Sequence, residues 1–323
     1  MKTPPRIKFA HLPTPIEALP RLTARLAGPR LEVKRDDLTG LAFGGNKTRK
    51  LEYLLAEAQA NGARTIITAG AIQSNHCRQT AAACARLNFD CILVLSGIKP
   101  DRASGNLMLD QLFNARLVWT SLEERANMLE DTFRSAWETG LRPYLIPYGG
   151  SNVVGASAYV VAMKEILDQG CQPDWIVLAS SSGGTQAGLV TGAKLFDFKG
   201  KVLGISVDEP EEDLREKVAV LANKTMDFLG EKVKFEASEI QVSADYLGEG
   251  YGVMGNPEIE AIRLFANEEG LLLDPVYTGR AAAGMIDLIN KGFFRKEDLV
   301  LFWHTGGTPA LFSEKYHQLS ERL

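Results

Sequence analysis

The sequence predicts an α/β protein built from two domains with mostly parallel open sheets covered by helices. Three observations support this prediction. Short β-rich runs alternate with longer amphipathic runs along the chain. The short runs are apolar, as expected for strands that helices cover on both faces. Loops rich in Gly, Ser, Thr and Asn follow several of these runs and lead into predicted helices.

The predicted elements follow one another in a regular order. Each predicted strand is a short apolar run, and in chain order they cover residues 64–70, 91–97, 116–121, 142–150, 174–181, 201–208 and 298–307. The segments between them include longer amphipathic patterns, which predict helices at 47–63, 75–89, 123–140 and 185–198.

The chain length predicts more than one unit, since 323 residues exceed the size that a single core usually reaches. We expect a large domain from residues 1–47 and 155–323 and a small domain from residues 48–154. In open parallel sheets, ligands bind at the carboxyl ends of strands. The loops that leave predicted strands at 68–76, 179–188 and 303–307 are therefore expected to line a cleft between the domains.

Composition narrows the classes of partner. A formal net charge of -4, with no long basic run, argues against a nucleic-acid surface and favours a small-molecule partner. The N-terminal segment is broken by prolines and lacks an apolar signal core, and we find no segment long enough to span a membrane. We therefore expect a cytoplasmic protein without membrane contacts.

The cysteines agree with a reducing compartment. Cys77 and Cys84 lie on one face of a predicted helix, which is typical of small core residues rather than metal ligands. The neighbouring His76 is the one feature that suggests zinc, and we expect no metal site. The remaining cysteines are Cys91 and Cys171.

A donor-rich turn, SSSGGT at residues 180–185, joins a predicted strand to a predicted helix. Consecutive backbone N–H groups at the start of a helix bind phosphate, and glycine allows close approach. A simple turn with helix caps is the alternative interpretation. The spacing fits neither a P-loop nor a dinucleotide fingerprint, so a single phosphate is the better hypothesis. Pyridoxal 5′-phosphate carries one phosphate and needs a lysine for its Schiff base.

Two lysines, Lys47 and Lys50, lie in FGGNKTRKLEY (43–53) at the predicted start of a helix. This end of a helix carries partial positive charge, so cations are unfavourable there unless an anion lies nearby. Lys47 can reach an aldehyde, while Lys50, about one turn later, can pair with a phosphate. The alternative is a solvated helix face on which these cations pair with Glu52 or Glu57.

The chain resembles the fold-type II pyridoxal-phosphate enzymes, a fold similar to the tryptophan synthase β chain, and within them the group of D-cysteine desulfhydrases and 1-aminocyclopropane-1-carboxylate deaminases. The similar segments span nearly the whole chain: 34–58, 67–82, 142–152, 181–188, 271–289 and 301–312. The resemblance implies a homodimer that acts on a small amino acid.

The resemblance also implies roles for individual residues. Lys47 would carry the Schiff base, Lys50 would contact the phosphate, and Asn75 would contact the cofactor's 3′-oxygen. Further cofactor contacts would come from Ser182, Gly183, Gly184, Thr185 and Thr305. The substrate and the reacting centre would be faced by Gln73, Ser74, Asn75, His76 and Thr278. Tyr251 and Tyr277 would be a pair of active-site phenols, although half-buried rings with satisfied hydroxyls are the alternative.

Two threonines favour one activity within this group. As implied by the resemblance, Thr278 and Thr305 lie where the cofactor's ring nitrogen is held, and the deaminases have Glu and Leu at these positions. A threonine hydroxyl polarises the cofactor ring less than a carboxylate would. This weaker polarisation is enough for β-elimination from cysteine, whereas opening a cyclopropane needs a stronger electron sink. We therefore expect D-cysteine to give pyruvate, hydrogen sulfide and ammonia. A deaminase, or a lyase that releases sulfite from cysteate, is the alternative.

Two other classes of function are less consistent with the sequence. A serine hydrolase using Ser74 and His76 lacks the G-x-S-x-G elbow, and residues two apart do not face each other on such a turn. A non-catalytic protein that binds a phosphorylated ligand would have the same phosphate loop but would be colourless when purified.

Overall fold

The computed structural model describes residue 2, residues 4–317 and residue 319 of the chain. Among these residues, the strands are β1 Ile16–Ala18, β2 Arg30–Arg35, β3 Thr65–Ala71, β4 Asp90–Ser96, β5 Arg116–Thr120, β6 Pro143–Leu145, β7 Trp175–Ser180, β8 Lys201–Ser206, β9 Gln241–Ser243 and β10 Leu299–His304. The α-helices are α1 Pro20–Leu26, α2 Asn46–Ala60, α3 Asn75–Leu87, α4 Gly105–Leu112, α5 Arg125–Glu138, α6 Val153–Asp168, α7 Gly184–Leu195, α8 Glu211–Leu229, α9 Asn256–Glu269 and α10 Thr278–Asn290.

The strands form two separate sheets. The first has the order β1-β2-β10-β7-β8-β9, and only the pair β1 and β2 is antiparallel. The second has the order β5-β4-β3-β6 and is parallel throughout. The predicted α/β class with mostly parallel sheets is therefore confirmed, and each predicted strand overlaps an observed one.

The sequence analysis missed three strands, β1, β2 and β9. Two of these, β1 and β9, are only three residues long. β2 reads RLEVKR and is charged, yet Lys34 within it is completely buried because its ammonium group pairs with Glu165 at 2.7 Å. Because a charged residue of this central strand forms a buried ion pair, the strand cannot be recognised from the hydrophobicity of its sequence.

Helices cover both faces of the larger sheet. Val33, Val177 and Phe302 pack on one face against α9 and α10, while Ile176 and Trp303 pack on the other face against α6 and α7. The smaller sheet packs against α2 and α3 on one face and α5 on the other. All four cysteines are buried free thiols. Among the described helices, none is long and apolar enough to cross a membrane.

The two sheets suggest how the chain divides. β3 to β6 belong to one sheet, and all strands before and after them belong to the other. We propose that these sheets mark a small domain of residues 48–154 and a large domain of residues 1–47 and 155–323. The outermost ends of the large domain lie outside the described residues.

Candidate active site

The three loops expected to line a cleft do converge. They follow the carboxyl ends of β3, β7 and β10, and together with the start of α2 they enclose a space that we name the inner chamber. Its walls include Asn46, Lys47, Ser74, Asn75, His76, Tyr148, Gly149, residues 179–185, Tyr277 and Thr305. A second space of about 930 Å³, which we name the outer cavity, adjoins it and shares Tyr148, Ser181 and Ser182.

The glycine pair before α2 allows this helix to start against the last loop. Gly45 has φ 125°, and its missing side chain matters because a Cβ there would lie 2.6 Å from Gln79 Nε2 and 3.0 Å from Thr305 O. Lys47 then falls in the first turn of α2, on the chamber wall. Burial lowers the pKa of Lys47 to about 8, against an opposing effect of the buried Asp274 carboxylate.

The three cations of α2 point in different directions. Lys47 lines the inner chamber, while Arg49 enters the protein interior and binds Asp36 and Glu165, both at 2.8 Å. Lys50 is 1% exposed and donates only to Gly149 O at 3.1 Å and Ser151 Oγ at 3.4 Å. The alternative interpretation, a solvated helix face, is therefore wrong for Arg49 and Lys50, because both side chains are buried.

Lys50 has no carboxylate partner among the described residues, which is unusual for a buried ammonium group. Burial, together with the neighbouring Lys47, lowers its pKa well below the ordinary value. The turn at residues 182–185 lies beside it: a Cβ on Gly184 would be 2.9 Å from Lys50 Nζ and 2.4 Å from Ser151 Oγ. An anion at this turn would compensate the Lys50 charge.

The turn itself supplies the remaining features of a phosphate site. Gly183 precedes α7 with φ 76°, and no side chain caps the free N–H groups of this helix. Ser182 Oγ is 2.8 Å from Ser151 Oγ, and Thr185 Oγ1 accepts a hydrogen bond from Asn46 Nδ2 at 3.0 Å. The residues present therefore fit the phosphate of the expected pyridoxal 5′-phosphate.

Replacing Lys50 with methionine tests this assignment. We expect the cofactor dissociation constant to rise by about 10- to 100-fold, since a charge-assisted hydrogen bond contributes about 1.5–3 kcal/mol. In the cofactor-free protein we expect the opposite effect on stability, a higher melting temperature, because the change removes an uncompensated buried ammonium group. Cofactor titration and thermal unfolding measure the two effects. Lys164→Met, at an exposed ion pair, is the control; equal cofactor affinity in both variants would contradict the assignment.

The start of α3 supplies a second set of polar groups. Ser74 Oγ accepts a hydrogen bond from the Cys77 N–H at 3.2 Å and caps the helix. Asn75 Oδ1 accepts from Arg78 Nη1 at 3.1 Å and Asn106 Nδ2 at 2.9 Å, so its amide nitrogen remains as the donor toward the chamber. A donor here suits an oxyanion such as the cofactor's 3′-oxygen.

His76 is held as a neutral ring. Its Nε2 is 2.9 Å from Thr68 Oγ1, and that hydroxyl donates to Ile146 O at 2.8 Å, so Nε2 must be the protonated nitrogen. Nδ1 is left without a partner in the described part of the chain. Burial and the nearby Lys47 and Lys50 lower the pKa of His76 well below its ordinary value. His76 is therefore an acceptor rather than an acid.

The phenols connect the two spaces. Tyr277 lines the inner chamber and Tyr251 lines the outer cavity, and their hydroxyl oxygens are 2.6 Å apart. Burial raises the pKa of both phenols well above the ordinary value, so both are protonated at neutral pH. The role of the two phenols in catalysis stays a prediction, since hydroxyls that bond each other are also what the alternative of satisfied rings expects.

The two threonines differ in position. Thr305 lies on the chamber wall, whereas Thr278 is outside it: its hydroxyl donates to Asp274 Oδ1 at 2.8 Å and accepts from the Asp274 N–H at 2.7 Å. The sequence analysis missed Asp274, whose carboxylate accepts from the N–H groups of Val276, Tyr277 and Thr278. An aspartate four residues before Thr278 at the start of α10 was the available signal.

Most of the proposed site residues meet in the inner chamber, and four do not line it. Lys50 lies beside the turn at residues 182–185, Tyr251 lines the outer cavity, and the Thr278 hydroxyl donates to Asp274. Gln73 turns away, because its amide donates to Ser104 O at 3.0 Å and accepts from the Asn106 N–H at 2.8 Å. The chamber-lining members are Lys47, Ser74, Asn75, His76, Ser182, Gly183, Gly184, Thr185, Tyr277 and Thr305.

Two proteins of known name are similar to the chain over nearly its whole length. The chain is 42% identical over 322 residues to a D-cysteine desulfhydrase of Klebsiella pneumoniae strain 342, a match that covers 97% of this chain and 96% of that protein. It is 43% identical over 323 residues to the D-cysteine desulfhydrase of Klebsiella pneumoniae subsp. pneumoniae strain ATCC 700721 / MGH 78578, with the same coverage.

Solved structures show the same fold. An ACC deaminase homologue superposes with a TM-score of 0.91 at 36% identity, over 99% of this chain and 97% of that one. A pyridoxal 5′-phosphate-dependent aspartate racemase superposes with a TM-score of 0.67 at 18% identity, over 91% of this chain and 90% of that one. A family model described as pyridoxal-phosphate dependent enzyme matches residues 7–306. Because this model covers most of the chain and the two relatives match it over 97% of its length, the chain belongs to the family of pyridoxal-phosphate-dependent enzymes.

Proposed function

We propose that this enzyme converts D-cysteine to pyruvate, hydrogen sulfide and ammonia by β-elimination. The observation that carries the proposal is the full-length similarity, at 42% and 43% identity, to two D-cysteine desulfhydrases. The inner chamber supports it, because an amine of lowered pKa, a helix start and the protonated phenol of Tyr277 line one small space.

The residues that would hold the cofactor follow from the contacts described above. Lys50 and the α7 N-terminus would bind the phosphate, and the Asn75 amide nitrogen would bind the 3′-oxygen. Lys47 would carry the Schiff base, and Thr305 would lie at the ring. When bound, the cofactor accepts the electron pair that is left when the substrate's Cα–H bond breaks.

The residues of the chain then bind the substrate and move its protons. The N-terminus of α3, with Ser74 and Asn75, offers N–H groups and a positive helix end to the substrate carboxylate. Lys47 removes the α-proton, and its pKa of about 8 leaves a useful fraction of free amine near neutral pH. Tyr277, a protonated phenol on the chamber wall, donates a proton to the leaving sulfur.

A deaminase is the second candidate, and the TM-score of 0.91 to an ACC deaminase homologue favours it. The position of Thr305 weighs against it. Its hydroxyl, on the chamber wall, gives a neutral hydrogen-bonding partner to the ring rather than a charge, which suits β-elimination better than cyclopropane opening. Thr278 adds no charge either. A lyase that releases sulfite from cysteate would use the same residues and is a third outcome of the test below.

A substrate panel separates these activities. With purified holoenzyme we expect pyruvate from D-cysteine at a kcat/KM at least about 100-fold above that for release of α-ketobutyrate from 1-aminocyclopropane-1-carboxylate, a difference of about 2.7 kcal/mol. L-cysteine, D-serine and cysteate complete the panel. Faster α-ketobutyrate release would establish the deaminase, and sulfite release from cysteate as the fastest reaction would replace the proposed substrate.

We further propose that the enzyme acts as a homodimer in the cytoplasm. The family resemblance supports the dimer. The four cysteines, all buried free thiols, support a reducing compartment.

A further inference from the structure

Arg78, on α3, is bonded to the side chains of Asn75 and Asn106. It is completely buried, and its Nη1 donates to Asn75 Oδ1 at 3.1 Å and to Asn106 Oδ1 at 2.8 Å. Because a guanidinium can only donate, both amides must turn their oxygens toward Arg78. Asn106 then presents its nitrogen to the same Asn75 oxygen at 2.9 Å. The orientation of the Asn75 amide therefore follows from the position of Arg78.

The same guanidinium reaches the segment that leads into α2. Its Nη2 donates to Gly44 O at 2.8 Å, three residues before Lys47. The next residue of α3, Gln79, is also buried, and its Oε1 accepts from the N–H and the hydroxyl of Thr48, both at 2.8 Å. Arg78 and Gln79 thus bind the chain on both sides of Lys47, so the starts of α2 and α3 are fixed relative to each other.

We propose that Arg78 is a positioning residue that directs the Asn75 amide nitrogen toward the cofactor's 3′-oxygen and fixes this donor relative to Lys47. The inference rests on the proposed function, in which Asn75 contacts that oxygen and Lys47 carries the Schiff base. Without Arg78, the Asn75 amide could turn over and present its oxygen to the chamber, where two acceptors would face each other. Arg78 is not part of the described wall of the inner chamber, so it acts through Asn75.

The charge of Arg78 strengthens this arrangement. Burial lowers the pKa of Arg78 to about 10, while the carboxylates of Asp110 and Asp274 act in the opposite direction, so the guanidinium is charged at neutral pH. Hydrogen bonds from a charged donor are about twice as strong as neutral ones. Arg78 therefore holds the Asn75 amide more firmly than a neutral side chain would.

A cofactor analogue measures the contact with the 3′-oxygen. The ratio of dissociation constants, 3-deoxypyridoxal 5′-phosphate over pyridoxal 5′-phosphate, reports what this oxygen adds to binding by the cofactor-free protein. In Asn75→Ala we expect the ratio to fall about 10-fold, because a hydrogen bond to a charged oxygen is lost. In Arg78→Met we expect a fall of about 3- to 10-fold, because the amide is no longer fixed. The double variant should show the ratio of Asn75→Ala alone, since Arg78 acts through Asn75.

Two further variants separate positioning from a general loss of structure. Arg86→Met, at an exposed position of the same helix, should leave the ratio unchanged. Arg78→Lys keeps the charge but not the planar fork, so its ratio should also fall, and this variant replaces Arg78→Met if the latter does not fold. A purely structural role of Arg78 would weaken the binding of both ligands equally and keep the ratio.

The outcomes distinguish the inference from the proposed function. An unchanged ratio in the Arg78 variants beside a lowered ratio in Asn75→Ala would overturn the role of Arg78, and so would additive losses in the double variant. An unchanged ratio in Asn75→Ala would refute the assignment of Asn75 to the 3′-oxygen, and the inference with it. The titration needs no turnover, so wild type that gives no pyruvate from D-cysteine would refute the proposed activity and leave this result standing.

Discussion

Replacing Lys47 with alanine is expected to abolish turnover and the visible absorbance band of the lysine-bound cofactor together. Lys47 is the one lysine on the described wall of the inner chamber, so no other lysine can carry the Schiff base there. The same amine removes the α-proton in the proposed reaction, and loss of a positioned base alone costs about 10²- to 10⁴-fold. We therefore expect kcat to fall by at least about 10³-fold, measured by pyruvate release, while visible absorbance reports the lysine-bound cofactor.

The control separates loss of the amine from loss of the cofactor. Lys47→Ala should still bind pyridoxal 5′-phosphate, since Lys50 and the α7 N-terminus hold the phosphate independently. Borohydride reduction followed by peptide mapping should find no modified lysine in this variant. A borohydride-reducible bond at any lysine of the Lys47→Ala protein would show that Lys47 is not the Schiff-base residue.

Much of the fold and part of the site were predictable because the signals are local. The loops at 68–76, 179–188 and 303–307 could be placed together since the carboxyl ends of parallel strands share one edge of a sheet. The apolar strands are recognisable one by one. The grouping of β3 to β6 in one sheet could also be predicted, because these strands follow one another along the chain.

The rest depends on partners far away in sequence. Arg49 lies between the two lysines, and nothing in α2 indicates that it points inward, because its partners Asp36 and Glu165 are 13 and 116 positions away. Tyr148 was missed for the same reason, since only the folded chain brings it to the chamber wall and beside Arg125. Thr278 was placed at the cofactor ring by analogy, whereas its hydroxyl bonds Asp274.

The direction of Arg49 also explains how three cations can occupy the start of one helix. Carboxylates compensate two of them: the Asp274 carboxylate acts on the charge of Lys47, and Arg49 binds two carboxylates. Lys50 has no carboxylate partner among the described residues, and in the proposed site the cofactor phosphate would compensate its charge. The ion pair of Arg49 with Asp36 fixes α2 against β10, because Asp36 also accepts a hydrogen bond from Trp303 Nε1 at 2.9 Å. The position of Lys47 in the chamber therefore depends on a buried charge network behind it.

Replacing Asp36 with asparagine is accordingly expected to lower the free energy of unfolding by about 3–5 kcal/mol, the usual cost of removing one partner from a buried ion pair. Asp36 is completely buried, and both of its carboxylate oxygens accept hydrogen bonds, among them those from Arg49 and from the Tyr159 hydroxyl at 2.6 Å. In the asparagine variant an amide nitrogen, which is a donor, would replace one of these acceptors and face other donors. Denaturant unfolding of the cofactor-free protein measures the loss. Asp168→Asn, at an exposed pair with Lys164, is the control and should cost at most about 1 kcal/mol.

The pH dependence of this loss gives a second test of the same change. Burial alone would raise the pKa of Asp36, but Arg49 and the hydrogen bonds from Tyr159 and Trp303 hold it below the ordinary value. A carboxyl whose folded pKa is lowered stabilises the protein above its unfolded pKa, and this contribution disappears as the pH falls through the folded pKa. The difference in stability between wild type and Asp36→Asn should therefore be full near neutral pH and shrink in acid. A difference that stays constant from neutral pH down to acid unfolding would show that the lost stability comes from packing rather than from the charge of Asp36.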